Sequence, residues 1–166
     1  VKILLDEQVP EPVIDPLNHL LRWHQIDHVQ RIGWKGKKDF KLLPDLAARG
    51  YEVLVTADVN QLHDQAECKL IKKYGFHHVR FEQSGKGVMA AGGAIATVIA
   101  GLTAVVPVLE KADGQRIVLL KSVRCGPAQY VLCDPKEQPP AYWPGRAGDL
   151  PPRQRRRPGV NDPAVS

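Results

Sequence analysis

Apolar positions along the chain alternate between short continuous runs and stripes at helical spacing. Lys2 to Leu5 is a brief apolar run closed by Asp6 and Glu7, which predicts a buried strand. Pro10 and Pro12 break the chain. Val13, Ile14, Leu17, Leu20 and Leu21 then recur as one helix face, with Pro16 limiting how early that helix becomes regular. Gln25 to Ile32 predicts a second strand, followed by the basic loop Gly33-Trp34-Lys35-Gly36-Lys37-Lys38. Leu42, Leu43, Leu46 and Ala47 form the next helix face, with Pro44 in its first turn and Gly50 as its stop. Val53 to Thr56 predicts a third buried strand, Gln65 to Tyr74 an amphipathic helix stopped by Gly75, and His78 to Phe81 a short fourth strand. A Gly/Ala-rich helix follows, then Ile117 to Val123 and Gln129 to Leu132 as antiparallel strands. Strand–helix–strand order repeated three times predicts an α/β fold with a mainly parallel sheet and right-handed crossovers.

The Gly/Ala-rich segment is the one that complicates this picture. Val88 to Val106 holds nineteen residues without a charge, a length that can cross a bilayer. Eleven of them are Ala, Gly or Thr, Pro107 follows, and neither an aromatic belt nor a dominant basic flank is present, so the segment reads as a buried helix. A membrane-anchored protein is the third-ranked alternative.

Composition then divides the chain. Of 166 residues, 135–166 carry six basic and three acidic side chains and are rich in Pro, Gly and Arg, which predicts a disordered tail behind a domain at 1–134. The body is nearly charge-balanced, so the overall net charge of +5 owes much to the tail. Cys68, Cys125 and Cys133 show no metal-ligand spacing; an odd count without a signal peptide fits a reducing cytoplasm. Val1, almost inside the first strand, reads as a trimmed or alternative start.

Candidate chemistry sits where strands end. Asp6 and Glu7 follow the first strand, Asp58 lies two residues past the third, and Asp39 opens the helix between them. Ligands of open α/β sheets gather outside the carboxyl ends of the strands, so these acids are expected at one edge. Three or four carboxylates there repel one another unless a cation neutralises them, and oxygen-only donors suit Mg²⁺ or Mn²⁺. The competing reading of each acid is a helix cap, a role that Asp39 and Asp64 both suit. Trp34, Lys35, Lys37 and Lys38 place cations and an aromatic ring beside Asp39, as nucleic-acid binding would need; a solvated loop is the even alternative. The arginines Arg153, Arg155, Arg156 and Arg157 add phosphate affinity without sequence choice. His24, His28, His77 and His78 read as surface histidines, Cys68 as a small core residue, and Glu67 as a solvated helix position that could also turn toward the acidic edge. Ser84-Gly85-Lys86-Gly87 is a fragment of a phosphate loop that lacks the full pattern.

Three pieces, in this order and spacing, resemble the PIN-like domain family: Ile3-Leu4-Leu5-Asp6-Glu7, the stretch from Asp39 to Ala47-Ala48-Arg49-Gly50, and Val53-Leu54-Val55-Thr56-Ala57-Asp58. The nearest branch is the small PIN-like ribonuclease toxins of bacterial toxin–antitoxin systems. The resemblance spans residues 1–82 and extends weakly to 134. It implies a three-layer fold with a central mainly parallel sheet flanked by helices. It also implies a Mg²⁺- or Mn²⁺-dependent endoribonuclease, with Asp6, Asp39 and Asp58 as catalytic and metal-binding acids and Glu7 as an accessory. Many relatives carry a second Asp where this chain has Asn60, a neutral oxygen donor in place of a charged one. The expected partners are RNA and a cognate antitoxin protein, with a homodimer admitted and no membrane. The alternative function is a catalytically weak RNA-binding or regulatory module on the same fold.

Overall fold

The computed structural model describes residues 1–83, 85–138 and 140. The chain divides into two compact units, Val1–Gly126 and Pro127–Ser166. The first holds a five-stranded, wholly parallel sheet: β1 (Lys2–Leu5), β2 (Gln25–His28), β3 (Val53–Thr56), β4 (His77–Phe81) and β5 (Ile117–Leu120), in spatial order β2-β1-β3-β4-β5. Between them run α1 (Ile14–Leu20), α2 (Asp39–Ala48), α3 (Gln65–Tyr74) and α4 (Gly87–Glu110). Of the second unit, the described residues form a short 3₁₀ turn at Pro127–Gln129 and a turn in which the Asp134 carboxylate accepts from the Lys136 amide. The predicted disorder of 135–166 and the arginine tail fall mostly outside the described residues.

Strand alternation builds the three layers. Ile3, Leu5, Val53, Val55, Val79 and Phe81 point to one face, where α1 and α4 cover them; Leu4 and Leu54 point to the other, beneath α2 and α3. These side chains are essentially sealed from water, and burying each stabilises the fold by roughly 1.5–3 kcal/mol. Because both faces are covered, the two central strands read as nearly unbroken apolar runs, Ile3 to Leu5 in β1 and Val53 to Val55 in β3.

Several boundaries differ from the pattern's prediction. β2 ends at His28, and the chain then turns into the basic loop. Pro44 lies in the interior of α2, beyond its first turn, and Pro107 lies inside α4, which runs on to Glu110. β5 ends at Leu120 and pairs parallel to β4, since a 24-residue helix separates the two and gives the chain room to return in the same direction. Gln129 to Leu132 is not a strand: apart from the short turn it is irregular and exposed. The crossovers do not share one hand either. Those through α1, α2 and α3 agree, but α4 continues in the direction of α3 while lying on the α1 face. The reason is coverage: α1 has seven residues and cannot by itself shield Val55, Val79 and Phe81. The cost appears on the opposite side of β5, where Ile117 and Leu119 stay exposed.

α4 is long and apolar enough to span a membrane by length and composition, with a mean hydropathy of 2.0 over its best window. It also has a packing stripe of Ala94, Val98, Leu102, Val106 and Leu109, buried in the α1-face core. Its small residues have a local use. A Cβ on Gly101 would stand 2.6 Å from a methyl of Leu120, and one on Gly93 would stand 3.1 Å from the Val123 carbonyl. Only a glycine-containing face lets α4 approach β5 so closely.

Candidate active site

The strand order makes β1 and β3 neighbours from which the chain departs in opposite directions. That is the switch point at which open α/β sheets form their ligand crevice. Asp6 leaves β1 there and Asp58 follows β3. The first residue of α2, Asp39, enters from the side, and a cavity of about 240 Å³ is lined by Asp6, Glu7, Asp39 and Asp58 together with Trp34, Lys37, Lys38 and Gln61. Asn60 and Lys35 do not line it. A larger cavity of about 520 Å³, between the start of α4 and Ser122–Cys125, gathers no carboxylate.

Each acid is held by a specific donor. The Asp6 amide continues the sheet ladder onto the Val55 carbonyl at 2.9 Å, which draws its side chain inward to 8% exposure. One carboxylate oxygen accepts from the Thr56 hydroxyl at 2.9 Å and the other from the Glu7 amide at 2.8 Å. The same Thr56 oxygen accepts the Asp58 amide at 3.0 Å, so one buried hydroxyl ties the ends of β1 and β3 together. Asp58 in turn accepts the Asn60 amide at 2.7 Å, a local turn that uses Asn60 through its backbone. Glu7 is exposed and accepts the Gly36 amide at 3.1 Å, linking the acidic edge to the basic loop. Asp39 accepts the Gln61 side-chain amide at 3.0 Å; it is not the cap of α2, whereas Asp64 does cap α3, accepting from the Ala66 and Glu67 amides.

The carboxylates act on one another. Burial pushes Asp6 above the usual carboxylate range, aided by the charges of Asp39 and Glu7 and opposed by its bonds to Thr56 and Glu7. Burial also raises Asp39, with Asp58 and Glu7 adding to it and the Gln61 bond opposing. Glu67 belongs to this group after all. Burial, with Asp39, Asp64 and Asp58 around it, pushes it up to about 7, and its carboxyl hydrogen-bonds Asp39. Its place in the first turn of α3, behind the Asp64 cap, turns it toward α2 rather than into solvent.

Among the described residues, no three His, Cys, Asp or Glu side chains stand together as a metal-holding group. The donor chemistry of the cavity nevertheless fits a hard divalent cation: all its acids are oxygen donors, and a cation would offset both the burial that chiefly raises Asp6 and Asp39 and the neighbouring charges that add to it.

Of the basic loop, Lys35 and Lys38 are exposed, while Lys37 pairs with the Asp45 carboxylate. Trp34 is a core residue, 8% exposed, meeting Tyr51 edge-on with Lys37 and Arg49 over its ring. Its indole is therefore occupied within the fold and offers no open stacking face, because the loop folds back over α2. His28 and His78 are not on the surface; both are fully buried. His28 is a satisfied core residue, bonded to the Val9 carbonyl at 2.9 Å and accepting the Gln30 amide at 3.2 Å. His78 bonds the Gln61 side-chain oxygen at 3.1 Å, directly behind Asp39. Gln61 and His78 carry no sequence motif; beside His77 and before Val79 in β4, His78 reads as one of a pair of surface histidines. The phosphate-loop fragment includes Ser84, outside the described residues. Comparison with family models, curated proteins and solved structures finds no match to this chain.

Proposed function

We propose that this protein is a metal-dependent ribonuclease of the PIN-like kind, acting in the cytoplasm as the toxin of a toxin–antitoxin pair. The observation that carries the reading is the convergence of Asp6, Asp39 and Asp58, from three separate elements, on one cavity at the switch point of the sheet. With Glu7 as an accessory oxygen donor, and Asn60 held beside Asp58 by its backbone amide but outside the cavity lining, these acids would hold Mg²⁺ or Mn²⁺, which would activate water and stabilise the leaving oxygen of a phosphodiester. The chain's own contributions are narrower. Thr56 fixes Asp6, Gln61 fixes Asp39, and the exposed Lys38 at the rim, with the exposed Lys35 on the same loop, attracts a phosphate backbone.

The test is calorimetry with Mn²⁺ and cleavage of a single-stranded RNA by wild type and Asp6→Asn. Wild type should bind the ion and cut. Asp6→Asn should do neither while melting at the same or a slightly higher temperature, since a buried, repelled charge is gone. Wild type that binds no Mn²⁺, or Asp6→Asn that cuts equally well, overturns the reading. A second reading, an RNA-holding module without catalysis, is favoured by Asn60 and by the absence of a gathered ligand group among the described residues. RNA binding without cleavage or metal binding would select it. A small partner gene beside this one would support the toxin assignment.

A further inference from the structure

Two side chains outside the acid set are sealed in directly behind it: Gln61 is 1% exposed and His78 is 0% exposed. Their hydrogen bonds can be oriented outward from the carboxylate. An ionised Asp39 oxygen only accepts, so the Gln61 atom 3.0 Å away is the amide nitrogen. That turns the Gln61 oxygen, also an acceptor only, toward His78 Nε2 at 3.1 Å. His78 must therefore carry its hydrogen on Nε2 and leave Nδ1 bare. Nδ1 is indeed buried without a hydrogen-bond partner, so a second N–H there would be stranded. Burial and the Arg80 charge accordingly push the imidazole down to about 4, which keeps it neutral. Every link permits one direction only.

We propose that Gln61, oriented by His78, is a positioning residue for Asp39, holding one carboxylate oxygen so that the acid meets a divalent cation already oriented. The inference rests on the nuclease reading and deepens it. A carboxylate without such a donor can rotate about its χ angles. One pinned by an N–H donor is held in one orientation and loses less freedom when a cation arrives. Partners of this kind commonly change metal affinity 10- to 100-fold when removed.

The experiment uses the full chain with Mn²⁺ as the probe, and folding of every variant is checked by circular dichroism. Gln61→Met keeps length without a donor, His78→Leu removes the link, and His78→Gln keeps an N–H near the place of Nε2. Gln61→Met and His78→Leu should bind Mn²⁺ about 10- to 100-fold more weakly. His78→Gln should recover most of that loss, and in Gln61→Met and His78→Leu kcat on RNA should fall with KM unchanged. Nitrogen-15 spectra of the wild-type imidazole should show the Nε2–H tautomer at neutral pH. Gln61→Met binding Mn²⁺ like wild type, or an Nδ1–H tautomer, overturns this inference and leaves the nuclease reading standing. Wild type that binds no Mn²⁺ ends both. Should a variant not fold, the tautomer decides.

Discussion

Lowering the pH should unfold the protein through His78 in a way that one substitution isolates. Burial holds the His78 imidazole at about 4, against 6.5 for an ordinary histidine. Between those values the unfolded chain binds a proton that the folded chain refuses, so stability falls as pH falls through this window and is unaffected above it. At about 1.36 kcal/mol per pH unit, the full effect is about 3 kcal/mol, and linkage puts about 2 kcal/mol of it already at pH 5. Glu67 works in the opposite sense. Raised from 4.5 to about 7, it makes the folded state bind more protons between those values, so its contribution is lost as pH rises. A wild-type curve alone therefore mixes the two. His78→Gln removes the imidazole and leaves Glu67 in place. Urea unfolding of both proteins at pH 7.5, 6 and 5, with equal m-values, gives the offset between them directly. The offset should move by about 2 kcal/mol against wild type from pH 7.5 to pH 5. A change below about 0.5 kcal/mol, the size of the extrapolation error, would show that His78 takes up its proton without cost and would refute the argument.

Three further outcomes follow from named contacts. Asp64→Ala removes the acceptor of the Ala66 and Glu67 amides and should lower stability by about 1 kcal/mol in chemical denaturation, with α3 fraying at its start. Asn60→Asp adds a charge beside Asp58 and should tighten Mn²⁺ binding by calorimetry, while lowering metal-free stability slightly through like-charge repulsion. Replacing Lys35 and Lys38 by Gln should weaken single-stranded RNA binding and flatten its logarithmic salt slope by about 1.4, the value for two lost phosphate contacts; Lys37→Gln, already paired with Asp45, should do less.

Alternating strand and helix, the four buried runs from Lys2 to Phe81, and the placing of acids after strands were all legible along the chain, because each depends on residues near one another in sequence. Strand burial and helix spacing are local, and so is the stop that Gly75 gives α3 with its φ of 72°. The parallel direction of β5 was not local. It depends on α4 crossing to the α1 face, where the apolar side of β1, β3 and β4 needed cover that no neighbouring residue announces. Trp34 shows the same division. Beside three lysines it reads as a stacking ring, and only the fold of the loop onto α2 and Tyr51 turns it inward. The acids Asp6, Asp39 and Asp58 were visible as residues, but their common cavity came from strand order, which pairs β1 with β3 across 50 residues. Gln61 and His78 were hidden altogether. A glutamine in a loop and a histidine in a strand become a buried pair behind Asp39 only when α2, the turn after β3 and β4 meet, and it is that meeting which forbids either to stay unbonded.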